Sequence, residues 1–124
     1  MKEKSFIVVW NRRESTKIDI DDILYIERRL RKIYLLTELR EIEYYENLKY
    51  VEPLLEDYFF KIGSGTFINI TKIKSVLEES VIFDCGLEIY IPRKISFRLR
   101  QKHRGYFHFK QELKAREKTP KNNT

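Results

Sequence analysis

With only one cysteine, Cys85, this chain cannot close an internal disulfide, and no second cysteine or histidine stands near it at metal-ligand spacing. A disulfide scaffold and a cysteine-based zinc site are thereby excluded, and a reducing compartment fits. Cys85 itself reads as a hydrophobe at the end of a strand. Three prolines and four glycines are too few for a collagenous or low-complexity chain. No apolar run approaches the ~20 residues needed to span a bilayer as a helix, and the Lys2-Glu3-Lys4 start leads into no signal-peptide core. A cytoplasmic protein without a membrane span is the expectation.

What is present describes a folded domain. The length of 124 residues suits a single unit, expected over residues 1–117 with a disordered polar tail at 118–124. Hydrophobic residues make up 42% and aromatics 14%, so the core should be rich in Tyr and Phe. The net charge of +6 favours an anionic partner, but the total alone does not separate DNA, RNA, a membrane surface or simple solubility. Its distribution says more. Between Arg93 and Lys118 ten basic residues face two acidic ones, a net of +8 that leaves −2 for the rest of the chain. A second knot, Arg28-Arg29-Leu30-Arg31-Lys32, carries four charges in five residues.

Short runs of Ile, Val, Tyr and Phe predict strands at Phe6–Trp10, Thr16–Ile20, Ile23–Glu27, Ile33–Thr37 and Ile42–Tyr45. The period then changes. After Asn47, an N-cap candidate, Leu48, Val51, Leu54, Leu55 and Tyr58 recur at helical spacing, with Pro53 implying either a kink or regular helix only from Pro53 onward. Strand character returns at Phe59–Ile62, Thr66–Ile70, Ser75–Leu77, Val81–Asp84 and Leu87–Ile91. From Arg93 onward Ile95, Leu99, Tyr106, Phe109 and Leu113 predict a second helix, which Gly105 and the Tyr106-Phe107 pair could interrupt.

Catalytic and metal patterns are thin. Gly63-Ser64-Gly65-Thr66 lacks the G-x-x-x-x-G-K-[ST] pattern of a phosphate loop. Asp19, Asp21 and Asp22 match no calcium loop and read as a solvated turn. His103 and His108 stand five apart, so they point to different sides of a helix and read as surface or DNA-facing residues. No serine sits in a G-x-S-x-G elbow, and Cys85 has no evident base. No catalytic residue, metal or cofactor is expected, and the chain does not read as an enzyme. The two basic clusters, by contrast, would supply the phosphate contacts that dominate nucleic-acid affinity, although a basic amphipathic segment could equally be a membrane-surface or solvated face.

The order of residues narrows this. Asp22-Ile23-Leu24-Tyr25-Ile26-Glu27 comes first, then Glu43-Tyr44-Tyr45-Glu46-Asn47-Leu48-Lys49 with Leu54-Leu55. Phe60-Lys61-Ile62-Gly63-Ser64-Gly65-Thr66-Phe67-Ile68-Asn69 follows, and Gly86, Leu87–Ile91 and Pro92-Arg93-Lys94 close the series. Over about residues 5–105 this succession resembles the LytTR DNA-binding domain of bacterial regulators. The resemblance implies a mainly β fold: short antiparallel strands in small stacked sheets, one short central helix and a C-terminal helix. It also implies a cytoplasmic transcription regulator or response-regulator output domain that grips direct-repeat promoter DNA through loops instead of a recognition helix. Homodimerisation on DNA and a separate signalling partner are compatible with it.

Carried over position by position, the resemblance places Arg29, Arg31 and Lys32 in the first DNA-binding loop, Lys61 and Ser64 in the second, and Arg93 and Lys94 in the third. An arginine fork can bond guanine O6 and N7 together, so Arg93 is the expected base reader, its other reading being a helix-start residue paired with a nearby carboxylate. Arg29, Arg31 and Lys32 are expected to set phosphate affinity. Ser64 could contact phosphate or cap a turn, and Asn69 reads as a structural turn residue. This sequence departs from the family pattern at four points: Gly63 stands for histidine, Gly65 for serine, Lys61 for arginine and Pro92 for serine. The altered middle loop leaves open a LytTR-like module that binds a regulatory protein or a membrane instead of reading DNA. With only a few residues before Phe6, regulation would come from another chain, or the sequence is an excised domain.

Overall fold

Branched and aromatic residues dominate the first half of the chain, and there it folds as strands. A computed structural model describes residues 5–118 and places β1 at Phe6–Trp10, β2 at Ser15–Asp19, β3 at Ile23–Arg29, β4 at Lys32–Thr37 and β5 at Glu41–Tyr45. After the short α1 (Leu48–Val51) come β6 (Phe59–Gly63), β7 (Thr66–Asn69), β8 (Ile73–Val76), β9 (Ser80–Phe83) and β10 (Glu88–Tyr90). The long α2 (Arg93–Lys118) follows. The mainly β architecture expected from the sequence is the one observed.

A five-stranded sheet in the order β5-β4-β3-β7-β6 forms the middle layer, and all its pairings are antiparallel. Both its faces are covered, which explains why β3 and β4 read as almost continuous apolar runs instead of alternating. On one face the β1–β2 hairpin and α1 bury Ile7, Val9, Leu48 and Val51 against Ile26, Ile33, Leu35 and Phe67. On the other, α2 and the β10-β9-β8 sheet bury Leu99, Phe83, Val81 and Ile73 against Leu36, Ile62 and Ile68.

Three local expectations are corrected. The segment after Asn47 is neither a kinked helix nor regular from Pro53 onward. Asn47 caps it, its side chain accepting from Lys49 N–H at 3.0 Å, but α1 lasts one turn, and Pro53 sits in the opening of a 3-10 turn, Glu52–Leu54. Proline has no N–H to give, so a short turn with proline among its opening residues accommodates it at little cost. Gly105 does not interrupt α2, where the bulky residues around it carry the helix across. Cys85 is exposed in the β9–β10 turn, beside Gly86 with its φ of 95°, and so is not a strand-end hydrophobe. Lys118 closes α2, and the rest of the expected polar tail, 119–124, lies outside the described residues.

Asn69 is a structural residue, as its sequence reading has it, tying the end of β7 to β3 and to the turn that follows. Fully buried, it donates to the carbonyl of Ile23 at 2.9 Å, while its Oδ1 accepts from Thr71 N–H at 3.0 Å and from Thr71 Oγ1 at 2.6 Å. Removing that amide leaves buried partners unpaired, so Asn69→Ala should lower the unfolding free energy by about 2–4 kcal/mol in urea titrations. A loss below about 1 kcal/mol would show that solvent or a shifted loop replaces those bonds.

Buried tyrosines give a second expectation. Tyr34 and Tyr44 are pushed up to about 12 chiefly by burial, Tyr34 also by its hydrogen bond to Glu41. In the unfolded chain these hydroxyls ionise near 10, before the folded ones do. Stability should therefore hold below pH 10 and fall as pH rises from 10 to about 12, measurable by chemical unfolding at fixed pH. A flat profile across that window would contradict the burial of these rings.

Candidate nucleic-acid interface

The β3–β4 turn, the β6–β7 turn and the start of α2 are brought to one end of the molecule, whereas Lys61, within β6, lies on the sheet face that carries α1, across the sheet from α2. The first two are joined directly. β3 pairs with β7, Glu27 opposite Thr66, and one step further Arg28 N–H donates to the Gly65 carbonyl at 2.8 Å. The β3–β4 turn, Leu30-Arg31, and the β6–β7 turn, Ser64-Gly65, consequently sit side by side.

The third follows from the direction of α2. Its side chains meet β8 and the turn after it in reverse order: His103 Nε2–H donates to the Ile73 carbonyl at 3.0 Å, Arg100 to that of Leu77, and Ser96 Oγ to that of Glu78 at 2.6 Å. The sense against β6 is the same. Tyr106 and Phe109 share a hollow with Asp57 and Tyr58, whereas Arg98 and Lys102 lie over the Phe60 ring at 5.7 Å. Running antiparallel to β6 and β8, α2 thus begins at the end where the Ser64-Gly65 turn projects, and Arg93 and Lys94 sit there. His103, read from sequence as a surface or DNA-facing residue, is a half-buried tie to β8 instead.

The cations at this end differ in how freely they can act. Arg31, exposed at the hairpin tip, and Lys94, exposed at the helix start, have no carboxylate in ion-pair range among the described residues. Lys32 lies 5.0 Å from the Tyr45 ring. Arg29 is held in place. Its Nε donates to Glu27 at 2.6 Å, Glu43 lies 3.7 Å away, and its guanidinium stacks 3.8 Å above Tyr34. Tyr25 donates to the same Glu27 carboxylate at 2.8 Å. Lys61 stands near Glu52 at 3.9 Å, over the Phe67 ring.

Arg93 is paired as well, its Nε donating to Glu79 at 2.7 Å with Glu78 at 3.6 Å, and the hydrogen bond to Glu79 raises its already high pKa. The helix-start pairing with a nearby carboxylate, one of the two readings of Arg93, is thus observed, with the guanidinium exposed. Exposed pairs of this kind are weak and exchange readily for another anion.

Arg28, which the sequence reading did not single out, also lies beside the second turn. It is exposed, no carboxylate pairs with it among the described residues, and its side chain overhangs Gly65 so closely that a Cβ there would stand 3.0 Å from Arg28 Cβ. The signal was the basic run itself, but which member faces the second turn is decided by the β3–β7 register. A side chain at position 65 would have to press against Arg28, which a glycine avoids.

At the opposite end, a cleft of about 680 Å³ lined by Thr16, Asp22, Thr37 and Arg40 opens beside the β4–β5 turn, away from the basic turns. Among the described residues no group of three His, Cys, Asp or Glu side chains could hold a metal ion, and no helix is long and apolar enough to cross a membrane.

The fold is a β-scaffold with strands buried on both faces and basic turns projecting from one end. Comparison with known proteins gives the family. The model of the LytTr DNA-binding domain matches residues 13–104, so the chain belongs to the LytTR family of DNA-binding domains. The fold is that of a solved LytTr DNA-binding domain from Bacillus cereus, with a TM-score of 0.62 at 18% identity over 80% of this chain and 96% of that one. No curated protein matches.

The Glu79 pair yields a test. Glu79→Gln removes the carboxylate that competes for Arg93 and should tighten binding to duplex DNA severalfold in fluorescence anisotropy at low salt. Unchanged affinity would mean that Arg93 stays with its carboxylates when DNA binds.

Proposed function

We propose that this domain regulates transcription in the cytoplasm by binding promoter DNA with sequence preference, docking its three-turn end onto direct-repeat sites. The observation that supports it best is the convergence of Arg28, Arg31, Lys32, Lys94 and Arg93 on one end of a rigid sheet. Arg31, Lys32, Lys61 and Arg28 contact phosphates and position the domain, with Arg29 holding the hairpin in shape beside them. Arg93 leaves Glu79 to reach a base edge, where its planar fork can distinguish guanine. Ser64 offers a hydroxyl and the neighbouring amides to the backbone. The unit responsible comprises residues 1–117, and a signalling partner or a second copy on adjacent repeats would supply control.

The departure at Gly63 and Gly65 favours one other reading. A middle turn whose only polar side chain is Ser64 reads bases poorly, which would suit a family member that binds a regulatory protein instead.

Phosphate docking sets a salt dependence. With about five phosphates neutralised, log affinity should fall against log salt with a slope of about −4 to −5. Arg93→Ala should lower affinity for a selected site by about tenfold or more while barely changing affinity for random duplex. Binding indifferent to salt, or equal losses on both duplexes, would contradict the proposal, and no duplex binding at low salt would favour the protein-binding module.

A further inference from the structure

Leu30 occupies the tip of the β3–β4 hairpin in a conformation its side chain opposes. Its φ is 58°, the only positive value at a non-glycine among the described residues, whereas the other positive φ among them falls on a glycine, Gly86. In the left-handed region the Cβ crowds the following carbonyl, so a leucine there carries strain that glycine would not. Packing within the molecule does not offset it, because Leu30 is 96% exposed. An apolar side chain in water at a strained backbone position brings no internal benefit, and such features mark contacts with something outside the fold.

The surroundings narrow what that is. Arg28, Arg29, Arg31 and Lys32 flank Leu30 in sequence, and of these Arg28 and Arg31 are exposed with no carboxylate pairing with them among the described residues. Arg29 is fixed by Glu27 and Tyr34, which hold the two strands stiffly behind the tip. Beside it the β6–β7 turn is drawn in by the Arg28–Gly65 hydrogen bond, leaving the hairpin tip to project. A hollow of about 560 Å³ lined by Leu30, Arg31, Lys32 and Tyr45 runs along its flank. Cations on such a tip meet phosphates on either side of a groove, and the leucine between them faces what lies inside it. The apolar feature a major groove offers there is the thymine C5-methyl group.

We propose that Leu30 is a specificity-determining contact that packs against a thymine methyl group in the DNA groove while the flanking cations hold the phosphates. This rests on the DNA-binding reading above and adds to it a base-discriminating role for an apolar residue in a loop otherwise assigned to phosphate affinity. The left-handed backbone is what turns the side chain outward, and the strain is tolerated because the contact is made only in the complex.

The test uses a duplex recovered by the wild-type protein from a random pool, and the same duplex with individual thymines replaced by deoxyuridine. One thymine in each half-site should prove sensitive, its loss of the methyl weakening wild-type binding about three- to tenfold. Leu30→Gly should bind the thymine duplex about tenfold more weakly, lose the discrimination against uracil, and melt no lower than wild type because the strain is gone. Leu30→Met should keep most of the discrimination.

Equal affinity of wild type and Leu30→Gly for the selected duplex would overturn the contact while leaving DNA binding intact. So would uracil substitution that costs both proteins the same. A lower melting temperature for Leu30→Gly would return Leu30 to a structural role. Failure of the wild type to bind any duplex, with binding to anionic phosphatidylserine vesicles lost in Leu30→Gly, would overturn the DNA reading itself and assign the tip to a membrane surface.

Discussion

The antiparallel pairing of β3 with β7 is the constraint on which the rest of the interface depends. It places Glu27 opposite Thr66 and lets Arg28 N–H reach the Gly65 carbonyl, so two turns distant in sequence become one surface. A slip of one residue would turn every β3 side chain to the other face, burying Tyr25 and Glu27 where Ile26 now packs. Because both faces of this sheet are covered, that slip is strongly disfavoured, and the burial that stabilises the fold also fixes the geometry of the turns.

Electrostatics at this end separates holding from reaching. Arg29 is committed to Glu27, Glu43 and Tyr34, and makes the hairpin a stiff mount; Arg31, next but one in sequence, is exposed and without a carboxylate partner among the described residues. Neighbouring arginines thus have different roles because strand alternation sends one back across the sheet and the turn sends the other out. Arg93 stands between these cases, reachable but already satisfied. Its carboxylates hold it in place in the free protein, and any anionic partner has to compete with them for its guanidinium.

Much of the fold was legible because its causes are local. β1 through β5 follow from runs of branched and aromatic residues broken by polar turns, and the observed bounds differ from the expected ones by a residue or two. Where expectation failed, a longer-range cause took over. One turn of α1 suffices because Pro53 and the return to β6 leave no room for more, and α2 passes through Gly105 because helix-forming neighbours outweigh a single glycine. Residues of the candidate site were legible as types and positions through the family pattern. Their pairing was not: the carboxylates of Glu27 and Glu79, the overhang of Arg28 on Gly65 and the left-handed Leu30 all arise from the register and turns, to which leucine and glutamate give no sequence signal.

The central claim is that three turns at one end of the sheet form a single DNA-facing surface. Titrating the isotopically labelled protein with a selected duplex and following its backbone amide signals tests that most directly. The shifts should gather at residues 28–32, 63–65 and 93–94, with the Glu38–Arg40 turn and the β1–β2 hairpin unmoved. Shifts centred on that far turn or hairpin, or confined to one of the three turns, would contradict the account.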